Sequence, residues 1–199
     1  MDLPIFIATL MRPEGETGVQ AHCKAFMAYL RETNLPFELV TPFCAPPWKV
    51  YPTFAIRKLL NGETNVWWYR YWHSFYLRQT LKKKLQSGNE CIVYAQCPLS
   101  AEAAISVRAS KKQRVFLVTH FNLSQADEWA GKGLIAKDGK LYRSIQRFET
   151  NVLPRADGLV FVSEYMKRML TERIPAISTV KSAVIPNFLP NPRPAEEHP

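Results

Sequence analysis

Six short apolar runs constrain the fold more than any other feature of this chain: PIFIATL (4–10), PFELVT (36–41), CIVYA (91–95), VFLVT (115–119), GLVFV (158–162) and SAVIP (182–186). Their continuous Val, Ile, Leu and Phe content is that of strands covered on both faces. Between most of them lie stretches of helical period. In VQAHCKAFMAYLRET (19–33), Val19, Cys23, Phe26, Met27 and Leu30 share one face at spacings of three and four. Residues 100–110, 141–153 and 163–174 read the same way. Strand and helix in alternation predict a parallel sheet with helices on both faces, an α/β Rossmann-like doubly wound fold.

At 199 residues and 47% hydrophobic side chains, one domain with a full core is expected. Two stretches break the alternation. Residues 45–88 are too long for an ordinary connection and too apolar for a free loop, which predicts an inserted segment. The tail PNPRPAEEHP, with four prolines and hardly an apolar residue, reads as a linker. The expected division is therefore a domain over 1–189 and a linker over 190–199. No internal repeat is present.

Charge and cysteines set the class of partner and compartment. The 26 Lys and Arg against 17 Asp and Glu leave a net charge of +9, which favours phosphates, anionic lipid or nucleic acid without choosing among them. Cys23, Cys44, Cys91 and Cys97 form no CxxC pair and no zinc spacing, so reduced and mostly buried thiols are expected. The opening MDLPIFIATLM is acidic where a secretion signal would be basic, and no run approaches 18 apolar residues. A cytoplasmic location follows, at most peripheral to the inner face of a membrane.

Candidate site residues stand where strands run out. In open α/β sheets ligands collect outside the carboxyl ends of the strands. His120 stands at the end of VFLVT and is suited to accept, donate or shuttle a proton at neutral pH. Asn122, Gln125, Asp127 and Glu128 follow it in a polar loop. After the first strand, RPEGETGVQAH brings Gly15 and Gly18 to the start of a helix that Thr17 would cap. Backbone N–H groups there suit a phosphate, while plain turn chemistry explains the same glycines. His22, one turn before Phe26, fits a site residue or a packing residue equally.

Between Trp67 and Tyr76 stand seven aromatic residues. On a helix, Trp67, Trp68, Tyr71, Trp72, Phe75 and Tyr76 would cover about half the circumference. Burial against the sheet or a partner domain is the favoured account. A basic, Trp-rich helix on an anionic membrane and base stacking with phosphate contacts are the alternatives. Glu164 and Glu172 lie on one helix, where a solvated face is expected rather than a site.

Several of these pieces together resemble the N-terminal half of a retaining GT-B glycosyltransferase of family 4. They are the first strand with TGVQAH, the strand VFLVTHF, the string FETNVLPRADGLVFVSEYMKRML and the closing VIPNF, together spanning nearly all of residues 4–189. Two positions depart from the family pattern: Phe188 where Gly usually follows Ile-Pro-Asn, and Thr17 ahead of Gly18 where paired glycines are common.

The resemblance implies one half of a two-domain enzyme that transfers sugar from a nucleoside-diphosphate sugar to an acceptor hydroxyl. This chain would be the acceptor-binding half, not active alone, with the donor gripped by a C-terminal GT-B domain of the same parent chain. By position, Gly18 would approach the donor diphosphate and His120 would lie beside the sugar and acceptor. Asn122 and Gln125 are acceptor contacts on placement. The resemblance implies no metal and no cofactor beyond the donor. A sugar or lipid acceptor and an anionic membrane surface are the expected partners, and nucleic acid is not. The rival reading is a non-catalytic basic module for nucleic acid or anionic lipid, and a nucleotide-binding domain of unrelated chemistry is a third.

Overall fold

A computed structural model describes residues 3–12, 14–15, 17–120 and 123–186. Asn122, Phe188 and the expected linker from 190 lie outside these residues. Six strands form one sheet: β1 (Ile5–Ala8), β2 (Phe37–Val40), β3 (Cys91–Ala95), β4 (Gln113–Thr119), β5 (Gly158–Phe161) and β6 (Ser182–Val184). Each corresponds to one of the six apolar runs. All five pairings are parallel, in the order β2-β1-β3-β4-β5-β6.

The helices are α1 (Gly18–Glu32), α2 (Pro47–Ile56), α3 (Gly62–Leu85), α4 (Pro98–Val107), α5 (Gln125–Gly131), α6 (Lys140–Val152) and α7 (Glu164–Arg173). Alternate strand residues separate two apolar layers, as the two-residue repeat of a strand requires. Ile5 and Ile7 of β1 pack with Cys23, Met27 and Leu30 of α1. Ala8, Val93 and Leu117 instead join Leu77, Leu81 and Leu85 of α3, Ala103 and Ala104 of α4, and Leu170 of α7. The α/β doubly wound expectation holds.

The 45–88 stretch, expected as an insertion, is the crossover that carries the chain from β2 to β3. Its long helix α3 spends one face on the core, with Leu77, Leu81 and Leu85 at four-residue spacing and fully buried. The alanines of α4 leave room for it, since a one-carbon side chain lets two helices approach. The loop expected after His120 contains a short helix, α5. Ser124 caps it, its Oγ accepting from Ala126 N at 3.0 Å, and Asp127 and Glu128 complement the helix dipole. Those signals were present in the sequence, in a stretch too short and polar to show a period.

Two carboxylates from the FETNVLPRAD stretch fasten the framework. Asp157 Oδ2 accepts from Val115 N (2.8 Å) and from Arg108 Nη1 (2.7 Å), tying the start of β4 to the turn before β5. Glu149 is fully buried; its oxygens accept from Ser124 Oγ and Gln125 N, both at 2.7 Å, with Arg173 Nη2 at 2.9 Å. Burial pushes the Glu149 carboxyl up, and Arg173 opposes that shift. Glu164 and Glu172 lie exposed on α7, as expected of a solvated face. All four cysteines are free; Cys23 and Cys91 are buried, whereas Cys44 is exposed.

Candidate functional site

The chain leaves β1 toward β2 on one side and returns to β3 on the other, so the direction of winding reverses between β1 and β3. A crevice opens at such a point, outside the carboxyl ends of the strands. Here it is a cavity of about 180 Å³, walled by Thr9 and Met11 after β1, Gln96 and Cys97 after β3, and His120 after β4. Val19 of α1, Arg70 of α3, and Gln125, Glu128 and Lys132 at α5 complete the wall.

His120 and Gln96 form the polar centre. His120 Nε2 lies 2.8 Å from Gln96 Oε1. A carbonyl oxygen only accepts, so the ring proton resides on Nε2 and Nδ1 carries the lone pair. Burial, then the neighbouring His22 ring, pulls the His120 pKa down to about 4. The ring is neutral at pH 7. Gln96 is 2% exposed, and its Nε2 has no hydrogen-bond partner among the described residues. A buried amide left unsatisfied costs about 1–3 kcal/mol, which an acceptor oxygen entering the cavity would recover.

The α1 side reaches the same centre through His22. Its ring meets that of His120 edge-on at 4.7 Å, and its Nε2 lies 3.3 Å from Tyr94 Oη. Thr17 caps α1 in the expected way: its Oγ1 accepts from Gln20 N (3.4 Å) while Gln20 Oε1 accepts from Thr17 N (3.1 Å). The two glycines of the loop differ in role. Gly15 has φ +148°, and a Cβ there would fall 2.3 Å from Gln20 Nε2, so the fold itself requires glycine. A Cβ on Gly18 would meet nothing within 4 Å. Gly18 is not in the cavity wall; it precedes the wall residue Val19 by one position.

Gln125, named from sequence, lines the cavity, and its Oε1 accepts from Arg70 Nη1 at 3.2 Å. Its backbone N–H is held by Glu149, which is how the buried carboxylate of α6 sets the far wall. Gln96 and Arg70 are among the wall residues that escaped the sequence reading. Gln96 follows CIVYA as His120 follows VFLVT, so the same strand-exit rule points to it. Arg70 lay hidden among aromatic residues. Its guanidinium sits 5.2 Å from the Phe148 ring centre, and it stays charged although burial pulls its pKa down. Among the described residues no group of three or more His, Cys, Asp or Glu is placed to hold a metal ion.

Arg70 also borders a second, shallower groove of about 400 Å³ between α3 and α6. Trp67, Tyr71 and Phe75 form its wall at four-residue spacing, with stacked rings at 5.4 and 6.5 Å. The favoured account of the aromatic segment, burial, therefore holds for one side of α3. Tyr76 is 6% exposed, whereas Trp67 and Tyr71 are half exposed.

A parallel sheet with its ligand cavity at the switch point defines a Rossmann-like binding domain, the kind that makes up one half of a GT-B enzyme. The sequence model of Glycosyltransferase Family 4 matches residues 17–190, and the chain belongs to that family. It is a glycosyltransferase domain of the GT-B N-terminal type, with a role in glycosyl transfer. Strand β1, one strand in from the edge of the sheet, precedes the matched residues. No curated protein matches the chain. No helix among the described residues is long and apolar enough to cross a membrane.

Proposed function

We propose that this domain binds the acceptor in a retaining transfer of sugar from a nucleoside-diphosphate sugar, the donor being held by a C-terminal GT-B domain of the parent chain. The observation that carries this reading is the pairing of His120 with the orphaned amide of Gln96 in one cavity. A sugar hydroxyl both donates and accepts. Gln96 Nε2–H would donate to its oxygen, and the lone pair on His120 Nδ1 would receive its proton. Arg70 and Lys132 in the wall, with the N-terminus of α1 beside it, supply positive potential as charge grows on the departing diphosphate. With those groups stabilising the leaving group, no metal is needed. Gly18, open on its outer side, lets the diphosphate approach the backbone. Gln125 and Asn122 are further acceptor contacts in this reading. Family membership supports the retaining course.

The test is turnover of an active enzyme that contains this domain. His120→Ala should lower kcat about 10²- to 10⁴-fold with an unchanged circular dichroism spectrum. Near-normal turnover would remove His120 from the mechanism. Proton NMR of the product anomer should show retention, and an inverted product would overturn that part. Gly18→Val should weaken donor binding; unchanged donor affinity would release Gly18 from the diphosphate.

A further inference from the structure

Helix α2 is apolar on two opposite sides, and only one of them is covered among the described residues. Val50 is 1% exposed, and Phe54 stacks on His73 at 4.0 Å and meets Phe43 edge-on at 5.3 Å, which fixes the helix to the domain. Outward, Trp48, Tyr51, Pro52, Ala55 and Ile56 of the helix, with Leu59 of the 3-10 turn after it (Arg57–Leu59), share one side through pairs three and four residues apart, and all six are exposed. Leu59 is 82% exposed and Trp48 71%. A helix apolar all round is ordinarily buried. This one presents a continuous apolar strip to the outside.

The charges around the strip identify what covers it. Between Glu38 and Glu63 there is no carboxylate, whereas the exposed Lys49 and Lys58 both lie in that interval. Lys49 Nζ stands 4.7 Å from the Trp48 ring centre. The guanidinium of Arg12, from the loop after β1, lies 5.8 Å from that of Tyr51. We infer that this face docks on an anionic lipid bilayer, with α2 lying in the plane of the interface. Trp and Tyr favour the boundary between headgroup and hydrocarbon, where a ring is buried while its N–H or O–H stays hydrated. Cations beside them meet lipid phosphates. A second copy fits worse: a two-fold contact sets each patch against itself, cation facing cation with no carboxylate between. Arg12 follows Met11 of the cavity wall, so docking brings the mouth of the cavity close to the bilayer.

The test needs neither donor nor acceptor, so it fails or stands independently of the transfer reading. The 199-residue chain is sedimented with vesicles of phosphatidylcholine alone and of phosphatidylcholine mixed with phosphatidylglycerol. Binding should be at least about ten-fold tighter to the anionic vesicles. Trp48→Ala with Leu59→Ser leaves the charge unchanged and should weaken that binding about ten-fold, with the urea midpoint unmoved because both side chains are exposed. Lys49→Gln with Lys58→Gln should weaken it too. Lys111→Gln with Lys112→Gln, just before the amino end of β4, should not. If all variants bind alike, the net charge of the chain suffices and the docking face is refuted. Binding to neither vesicle, equal binding to both, or a concentration-dependent dimer abolished by Trp48→Ala with Leu59→Ser would equally overturn it.

Discussion

Gln96 and His120 divide the chemistry of the cavity between a donor and an acceptor, and each role follows from the other. The hydrogen bond between them fixes the ring proton on Nε2, which frees Nδ1 and leaves the second amide function of Gln96 unsatisfied. Gln96→Leu removes that orphaned donor together with the oxygen that accepts from His120 Nε2, exchanging one unsatisfied group for another, so the unfolding midpoint of the chain should stay within a few degrees. Acceptor affinity should fall more than about ten-fold, since the incoming oxygen loses its donor. Calorimetric titration beside a thermal melt separates the two effects; parallel losses would mark Gln96 as structural. His120 was legible in the sequence because it breaks an apolar run at its exit. Gln96 breaks one in the same way and was not read as a site residue. Arg70 was out of reach, because its face of α3 is defined only by where the sheet and α6 lie.

Among the elements, the short α5 depends most on a single partner. Glu149 of α6 holds both its N-cap, Ser124, and its first backbone N–H. Glu149→Ala would strand those two donors and the Arg173 guanidinium, a loss of about 3–5 kcal/mol. Urea denaturation should register it, and amide exchange should quicken first over residues 124–131. Glu149→Gln keeps an accepting oxygen and should lose much less. The strands were legible from sequence because a parallel sheet buried on both faces leaves unbroken apolar runs. The crossover 45–88 was not, because helices with apolar residues on several sides show no clean period, so α2 and α3 read as an insertion rather than as part of the layer.

For the whole molecule, a buried imidazole, His73, and a part-buried one, His120, contribute to the response to acid. Burial pulls His73 down to about 3, and burial with His22 pulls His120 down to about 4, against an ordinary value of 6.5. Above pH 6.5 both are neutral folded or unfolded, and neither affects stability. As pH falls below 6.5 the unfolded chain takes up protons that the folded chain refuses, so stability declines by about 1.4 kcal/mol per pH unit for each ring. Urea midpoints at pH 7.5, 6.0 and 5.0 should fall in that order. His73→Phe, which keeps the stack on Phe54, should flatten the decline by about one proton's worth.

Strand β1 is made first of the six and ends one strand in from an edge of the sheet, paired to β2 on one side and to β3 on the other. No hairpin can form early in such a topology, so every pairing waits for a distant segment. On the ribosome, the second edge of Ile5–Ala8 stays bare until residues 91–95 have emerged, with all of α2 and α3 synthesised in between. That interval, rather than any weakness of the finished core, is when the nascent protein is most exposed to aggregation and most dependent on chaperones.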